Sequence, residues 1–317
     1  MQSHPFEQLV AGLLAGNCSA LARAISLVEA AGETGSAIHK AVRPGIGHTE
    51  VVGITGPPGA GKSTLISSLI SALRKTGQRV AVLAVDPSSP ITGGAVLGDR
   101  TRMGAHTDDA GVYIRSLSAR GHLGGLTATI MRVIDLIDAA GWNLILLETV
   151  GAGQSETEVA DVADINVVVN APGLGDDVQA IKAGILEIAD VLVVNKADSP
   201  LAGRTESQLK AMLQLRPEAG QDVPVLSTVA TEGEGIEDLV SAIRLQAAKK
   251  FRASREERLL QRMRRLLAQE SAAALKHCVL SDQSAFVRQL SQGLVDGDYE
   301  LEQALQHLFA RLDIGEH

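Results

Sequence analysis

Residues 56–63 read GPPGAGKS: a glycine, a four-residue spacer, then glycine, lysine and a hydroxyl side chain. An apolar run ending at Thr55 precedes them, and TLISSLISAL follows at helical spacing. In that strand–loop–helix setting the pattern is a phosphate-binding loop. Gly56, Gly59 and Gly61 carry no β-carbon, so successive N–H groups, through Ala60 and on to Thr64, can face phosphate oxygens. The helix that follows adds the positive end of its dipole. Lys62 can then reach the β- and γ-phosphates, and the Ser63 hydroxyl can ligate Mg²⁺. These residues predict a nucleoside-triphosphate site.

Carboxylates recur where such a site needs them. RVAVLAVD ends at Asp86, and the carboxyl end of a buried parallel strand is where ligands collect in open α/β sheets. Asp86 is placed for a metal–water network, or it caps the next turn. The loop at 87–103 carries Asp99, Arg100 and Arg102, the composition of a switch ordered by γ-phosphate and Mg²⁺, or of a solvated charge cluster. A further buried strand ends in Glu148-Thr149-Val150-Gly151, where many phosphate-loop GTPases carry D-x-x-G. The carboxylate can hold a metal-bound water and the Gly151 N–H can meet the γ-phosphate, with Glu one methylene longer than Asp. Gln154 either orients the attacking water or lies on the surface, and APGLGDDVQ has the chemistry of another switch.

Base choice is predicted at the end of a later strand, Asn195-Lys196-Ala197-Asp198. A carboxylate at Asp198 accepts from guanine N1–H and the exocyclic amine, whereas adenine offers no donor at either place. Asn195 and Lys196 brace the pocket and the phosphate loop. Ser227-Thr228-Val229 stands where GTPases place a Ser-Ala-x segment that touches guanine, with Thr for Ala as a departure.

The elements that hold these residues alternate as strand and helix from Val51 to Leu245. The pattern predicts an α/β fold, one doubly wound and mostly parallel sheet. Residues 1–45 form a helical extension: Phe6, Leu9, Val10, Leu13 and Leu14 recur at helical spacing, Gly16-Asn17 stops the first helix, and Ser19 is placed to cap a second. Residues 46–247 form the nucleotide domain. Residues 248–317 form a C-terminal helical region that begins with a basic amphipathic stretch at 249–280, where Leu259, Leu260, Met263, Leu266 and Leu267 make a stripe suited to packing on the parent domain or on a second subunit.

Composition narrows the classes. At 317 residues, 45% hydrophobic but 2% aromatic, the core must be built from Val, Ile, Leu and Ala. A net charge of −8 disfavours nucleic acid and anionic membranes as partners. Cys18 and Cys278 lie far apart, which fits a reducing compartment better than a disulfide frame or a metal site. With no signal peptide and no window near the length of a membrane span, the expected location is cytoplasmic.

GPPGAGKST, VDPSSPITGGAVLGDRTRM, ETVGAGQSE, APGLGDDVQ and NKAD, in that order, resemble the MeaB/ArgK type of GTPase, which includes the human methylmalonic aciduria type A protein. The resemblance covers nearly the whole chain, ALARAISLVE included. It implies GTP and GDP as ligands with Mg²⁺, and a G-protein chaperone for an adenosylcobalamin-dependent acyl-CoA mutase that gates cofactor loading and protects or rescues the mutase. It also implies a homodimer built through the C-terminal helices. Carried over by motif, Lys62 and Ser63 bind phosphate and Mg²⁺, Asp86, Asp99 and Glu148 form the metal and water network, and Asn195, Lys196 and Asp198 select guanine. Two alternatives stand beside it. A nickel-type metal-insertion GTPase needs a Cys/His cluster, yet no Cys lies between Cys18 and Cys278 and His106 and His122 are isolated. A nucleotide-gated module for a transporter would treat hydrolysis as incidental.

Overall fold

In a computed structural model the chain is described over residues 5–30, 32–86, 104–118, 126–149, 162–173, 183–214, 222–250, 255–281 and 285–311. Three helices come first: α1 (Pro5–Leu14), α2 (Cys18–Glu29) and α3 (Glu33–Val42). The sheet strands are β1 (Glu50–Thr55), β2 (Val80–Asp86), β3 (Val112–Ser118), β4 (Leu144–Thr149), β5 (Ile165–Asn170), β6 (Val191–Asn195) and β7 (Val225–Thr228). Between and after them lie α4 (Lys62–Lys75), α5 (Leu126–Ala139), α6 (Ala183–Ile188), α7 (Ala202–Gln214) and α8 (Ile236–Lys250). The last described elements are α9 (Arg255–Ser281), α10 (Ala285–Asp296) and α11 (Leu301–Arg311).

The seven strands form one sheet in the order β3-β2-β4-β1-β5-β6-β7, every pairing parallel. The expected mostly parallel, doubly wound α/β sheet is therefore present. Its central strands are continuous apolar runs because helices cover both faces. On one face Val52, Ile54, Val82 and Val167 pack with Leu65, Ile66 and Leu69 of α4 and Leu239 of α8. On the other, Val51, Leu83, Ile145 and Leu147 share a core with α5 and with Leu21, Ile25 and Ile38 of the N-terminal helices. A smaller cluster sets Val168, Leu192 and Val194 against α6 and α7. Topology reverses between β4, β1 and β5, so the carboxyl ends of these strands open a crevice at the phosphate loop.

Several local features differ from the sequence expectation. Asn17, not Ser19, caps α2, its side chain accepting from the Ala20 N–H at 2.9 Å. The N-terminal region holds a third helix, α3. Edge strand β3 was not foreseen, because Arg115, Ser116 and Ser118 break its apolar pattern; Arg115 instead pairs with Glu29 of α2. The apolar stripe of α9 divides, with Leu259 and Leu266 packing on the core while Leu260 and Leu267 are exposed.

Two compact units are present, Met1–Leu266 and Leu267–His317. Within the second, a β-carbon on Gly293 would lie 2.4 Å from the Tyr299 ring, and Arg311 stacks over Phe286 at 4.4 Å. Among the described residues, no single helix is long and apolar enough to cross a membrane.

Candidate functional site

The phosphate loop leaves β1 through Gly56, whose φ of 144° and close approach to β5 exclude other residues. A β-carbon there would lie 2.0 Å from the Val169 carbonyl oxygen. Gly61 is left-handed at φ 88°, and a β-carbon on it would meet Asn195 Nδ2 at 2.4 Å. These two glycines let the loop turn tightly between the two motif-bearing strands. Gly61 at the N-cap of α4 offers no side-chain cap, which leaves the N–H groups of the first turn for a ligand. Ala60 is buried, while Gly59 and Thr64 face outward.

Lys62 is only 8% exposed, and its ammonium donates to the Gly56 carbonyl at 2.7 Å and the Pro57 carbonyl at 3.2 Å. That double tether fixes a positive charge at the mouth of the loop, preorganised for an anion. Beside it the Ser63 hydroxyl donates to Glu148 Oε1 at 2.7 Å. Glu148 is 1% exposed and pairs in register with Ile54 of β1 and Ala84 of β2. Asp86, two residues beyond Ala84, ends β2 at the same edge of the sheet; its side chain lies outside the described residues. A hydroxyl and a buried carboxylate converging beside a lysine are oxygen donors of the kind a hard divalent cation takes, so this pair fits Mg²⁺. Asp99 and Gly151 also lie outside the described residues, as do Arg100, Arg102, Gln154 and Asp176–Asp177.

Asn195, 2% exposed, joins three segments. Its Nδ2 donates to the Ala60 carbonyl at 2.9 Å, and its Oδ1 accepts from the Thr228 hydroxyl at 3.1 Å and the Ala230 N–H at 3.2 Å. Lys196 follows at φ 57°, the only left-handed non-glycine residue among those described, and this turns Lys196 and Asp198 outward into solvent. Ala197 N–H bonds the Thr228 carbonyl at 3.0 Å, and Ser68 Oγ bonds the Ala230 carbonyl at 2.5 Å, so the 228–230 loop is stitched to both β6 and α4. Ser227 is exposed, its hydroxyl 3.1 Å from Glu206; a hydrogen bond from Lys210 first, then the Ser227 hydroxyl, hold the Glu206 carboxyl below its ordinary range. Val229 is buried.

Thr228 was expected to touch guanine through its backbone; the bonds of its hydroxyl and of the Ala230 N–H to Asn195 were not foreseen. A second pair also went unforeseen. Arg74 of α4 clamps Asp109 through two hydrogen bonds, at 2.8 and 2.9 Å, and His106 Nε2 sits 2.9 Å from the Ser67 hydroxyl one turn after Ser63. The segment that leads into β3 is thus fastened along the phosphate-loop helix.

Residues 21–284 match the family model of the methylmalonyl-CoA mutase-associated GTPase MeaB. This chain belongs to the MeaB family. Its GTPase activity and GTP binding follow from that membership, shared with GTPase relatives. A putative GTPase of Pyrococcus horikoshii is 44% identical over 273 residues, 83% of this chain and 86% of the relative. GTPase ArgK of Escherichia coli is 40% identical over 237 residues, 72% of each chain. The mitochondrial methylmalonic aciduria type A homolog of Mus musculus is 40% identical over 258 residues, 75% of this chain and 62% of that one. The solved structure of a protein described as LAO/AO transport system kinase covers 99% of both chains at TM-score 0.76 and 24% identity, which speaks for the shared fold. MeaB-type sequence and a seven-stranded parallel sheet thus coincide in one chain.

Proposed function

We propose that this MeaB-family GTPase is Mg²⁺-dependent and serves as a G-protein chaperone. In this reading it gates adenosylcobalamin loading into an acyl-CoA mutase, methylmalonyl-CoA mutase or a related enzyme, and protects or reactivates it. The family description, which ties MeaB to methylmalonyl-CoA mutase, supports the partner. The observation that carries the chemistry is the convergence of Lys62, Ser63 and Glu148 at the head of α4.

In the proposed mechanism the loop N–H groups and Lys62 hold the β- and γ-phosphates and stabilise charge on the transferring phosphoryl group. Ser63 and Glu148, with Asp86 and Asp99, would hold Mg²⁺, which neutralises phosphate charge when bound. Glu148 orients the attacking water, and Gly151 meets the γ-phosphate. Asp198 reads guanine, Asn195 and Thr228 lock the base loop to the phosphate loop, and Lys196, Ser227 and Val229 line the base side. Glu148 already accepts a hydrogen bond from Ser63, so cation binding replaces one favourable contact rather than exposing a bare buried charge.

The chain would act as a homodimer through residues 248–317. Exposed Leu280, Val295, Leu301 and Leu305 within the second unit support this, being apolar surface that a second copy would cover. Cys18 and Cys278, both free and exposed, fit a reducing cytoplasm.

The test is phosphate release from GTP and ATP, with and without a cobalamin-dependent mutase. Slow GTP-selective turnover that rises with the mutase is expected. Turnover indifferent to every such mutase would remove the chaperone reading and leave the GTPase.

A further inference from the structure

At the amino ends of β1 and β4, the side of the sheet away from the phosphate loop, two carboxylates are fully buried. Asp135 and Asp138 project from α5 with side chains 0% exposed. Asp138 accepts from the backbone N–H groups of His48 and Thr49, at 3.1 and 3.0 Å, and from that of Gly47. The Thr49 hydroxyl lies 3.0 Å from Asp138 Oδ1 and 2.5 Å from the Trp142 carbonyl. Asp135 meets His39 Nε2 of α3 at 2.8 Å. Among the described residues, α9 sends one side chain into this cluster. Arg262 Nη1 is 3.2 Å from Asp135 Oδ1 and 3.6 Å from Asp138 Oδ2, with the Arg262 side chain 12% exposed.

Leu259 and Leu266, three residues before and four after Arg262, lie on the same helical face and pack on the same core. Among the described residues, this face of α9 sets a guanidinium between two leucines. Separating a buried ion pair is costly, so the seated position of Arg262 is favoured, while His39 and the Gly47–Thr49 donors keep the two carboxylates partnered when it leaves.

We propose that Arg262 is a latch through which the nucleotide state sets the docking of α9. The structural link is short. Thr49 leads into β1, whose far end carries the phosphate loop, and Trp142 leads into β4, whose far end carries Glu148. Both touch the Asp138 cluster, so a shift of β4 against β1 when Glu148 changes partners reaches the seat of Arg262. The docked residues, 255–266, lie within the first compact unit, and α9 continues past its boundary to Ser281. This inference rests on the nucleotide-site reading above.

The experiment is hydrogen exchange followed by mass spectrometry on the full chain, with GDP and with a non-hydrolysable GTP analogue plus Mg²⁺. Exchange over 255–266 is expected to differ between the two states by about tenfold or more. In Arg262→Gln both states should exchange at the faster rate, while affinity for a fluorescent GDP analogue stays as in the wild type. Equal exchange of 255–266 in the two wild-type states would overturn the latch, and so would a nucleotide dependence that survives in Arg262→Gln. The wild-type comparison stands by itself if the variant does not fold. A wild type that binds no GDP at all would instead remove the nucleotide-site reading, and the latch with it.

Discussion

The Ser63 hydroxyl donates to Glu148 Oε1 at 2.7 Å, joining the first turn of the phosphate-loop helix to the carboxyl end of a strand 85 residues later in the chain. Both side chains are buried, and Glu148 sits in register between β1 and β2. The contact brings a hydroxyl and a carboxylate to one point beside the Lys62 ammonium. Substituting Glu148→Gln keeps the shape and removes the charge. It should lower Mg²⁺-dependent kcat by about a hundredfold or more while leaving GDP affinity within about threefold. Steady-state phosphate release across a Mg²⁺ titration, alongside GDP binding, checks this.

Lys62→Ala removes the ammonium tethered at the loop mouth. Nucleotide affinity should fall by about three orders of magnitude, because a charge-assisted contact to two phosphates is lost in a partly dry site. Near-normal GTP affinity by calorimetry would show that Lys62 is not a phosphate ligand.

Gly56→Ala tests the close approach directly. A β-carbon 2.0 Å from the Val169 carbonyl, on a backbone at φ 144°, must push the loop from β5. Loss of nucleotide binding is expected, with destabilisation of about 3 kcal/mol or more read from chemical denaturation.

Asp198→Asn exchanges an acceptor for a mixed donor and acceptor. Affinity for GTP should drop by about a hundredfold or more, and xanthosine triphosphate, which presents an oxygen where guanine has its amine, should gain. Competition binding with the two nucleotides decides between this and a purely structural role.

The Arg74–Asp109 pair carries a pH signature. The Arg74 hydrogen bond first, then the Gly111 N–H, hold the Asp109 carboxyl below its ordinary range. A carboxyl lowered on folding stabilises the protein above its unfolded value, about 3.9, and that stabilisation is lost as pH falls through the lower folded value. Asp109→Asn should therefore melt below the wild type at neutral pH, the difference shrinking as pH drops into that acid range. Melting curves from neutral to strongly acidic pH measure it.

What sequence alone determined here is what lies in contiguous residues. GPPGAGKS and NKAD specify local backbone and donor patterns, so Lys62, Ser63, Asn195 and Asp198 could be named before any contact was known. Unbroken apolar runs likewise declared the central parallel strands, because burial on both faces leaves no polar alternation. Tertiary structure decided the rest. That Glu148 meets Ser63, that Asn195 reaches Ala60, Thr228 and Ala230, and that Arg262 enters between Asp135 and Asp138 depend on strand register and helix docking, which no local spacing encodes. Asp135 and Asp138 look in sequence like ordinary polar positions of a helix, and only the packing of α3, the entry to β1 and α9 around them buries their charge. Edge strand β3 escaped for the related reason that one side of it needs no apolar partner.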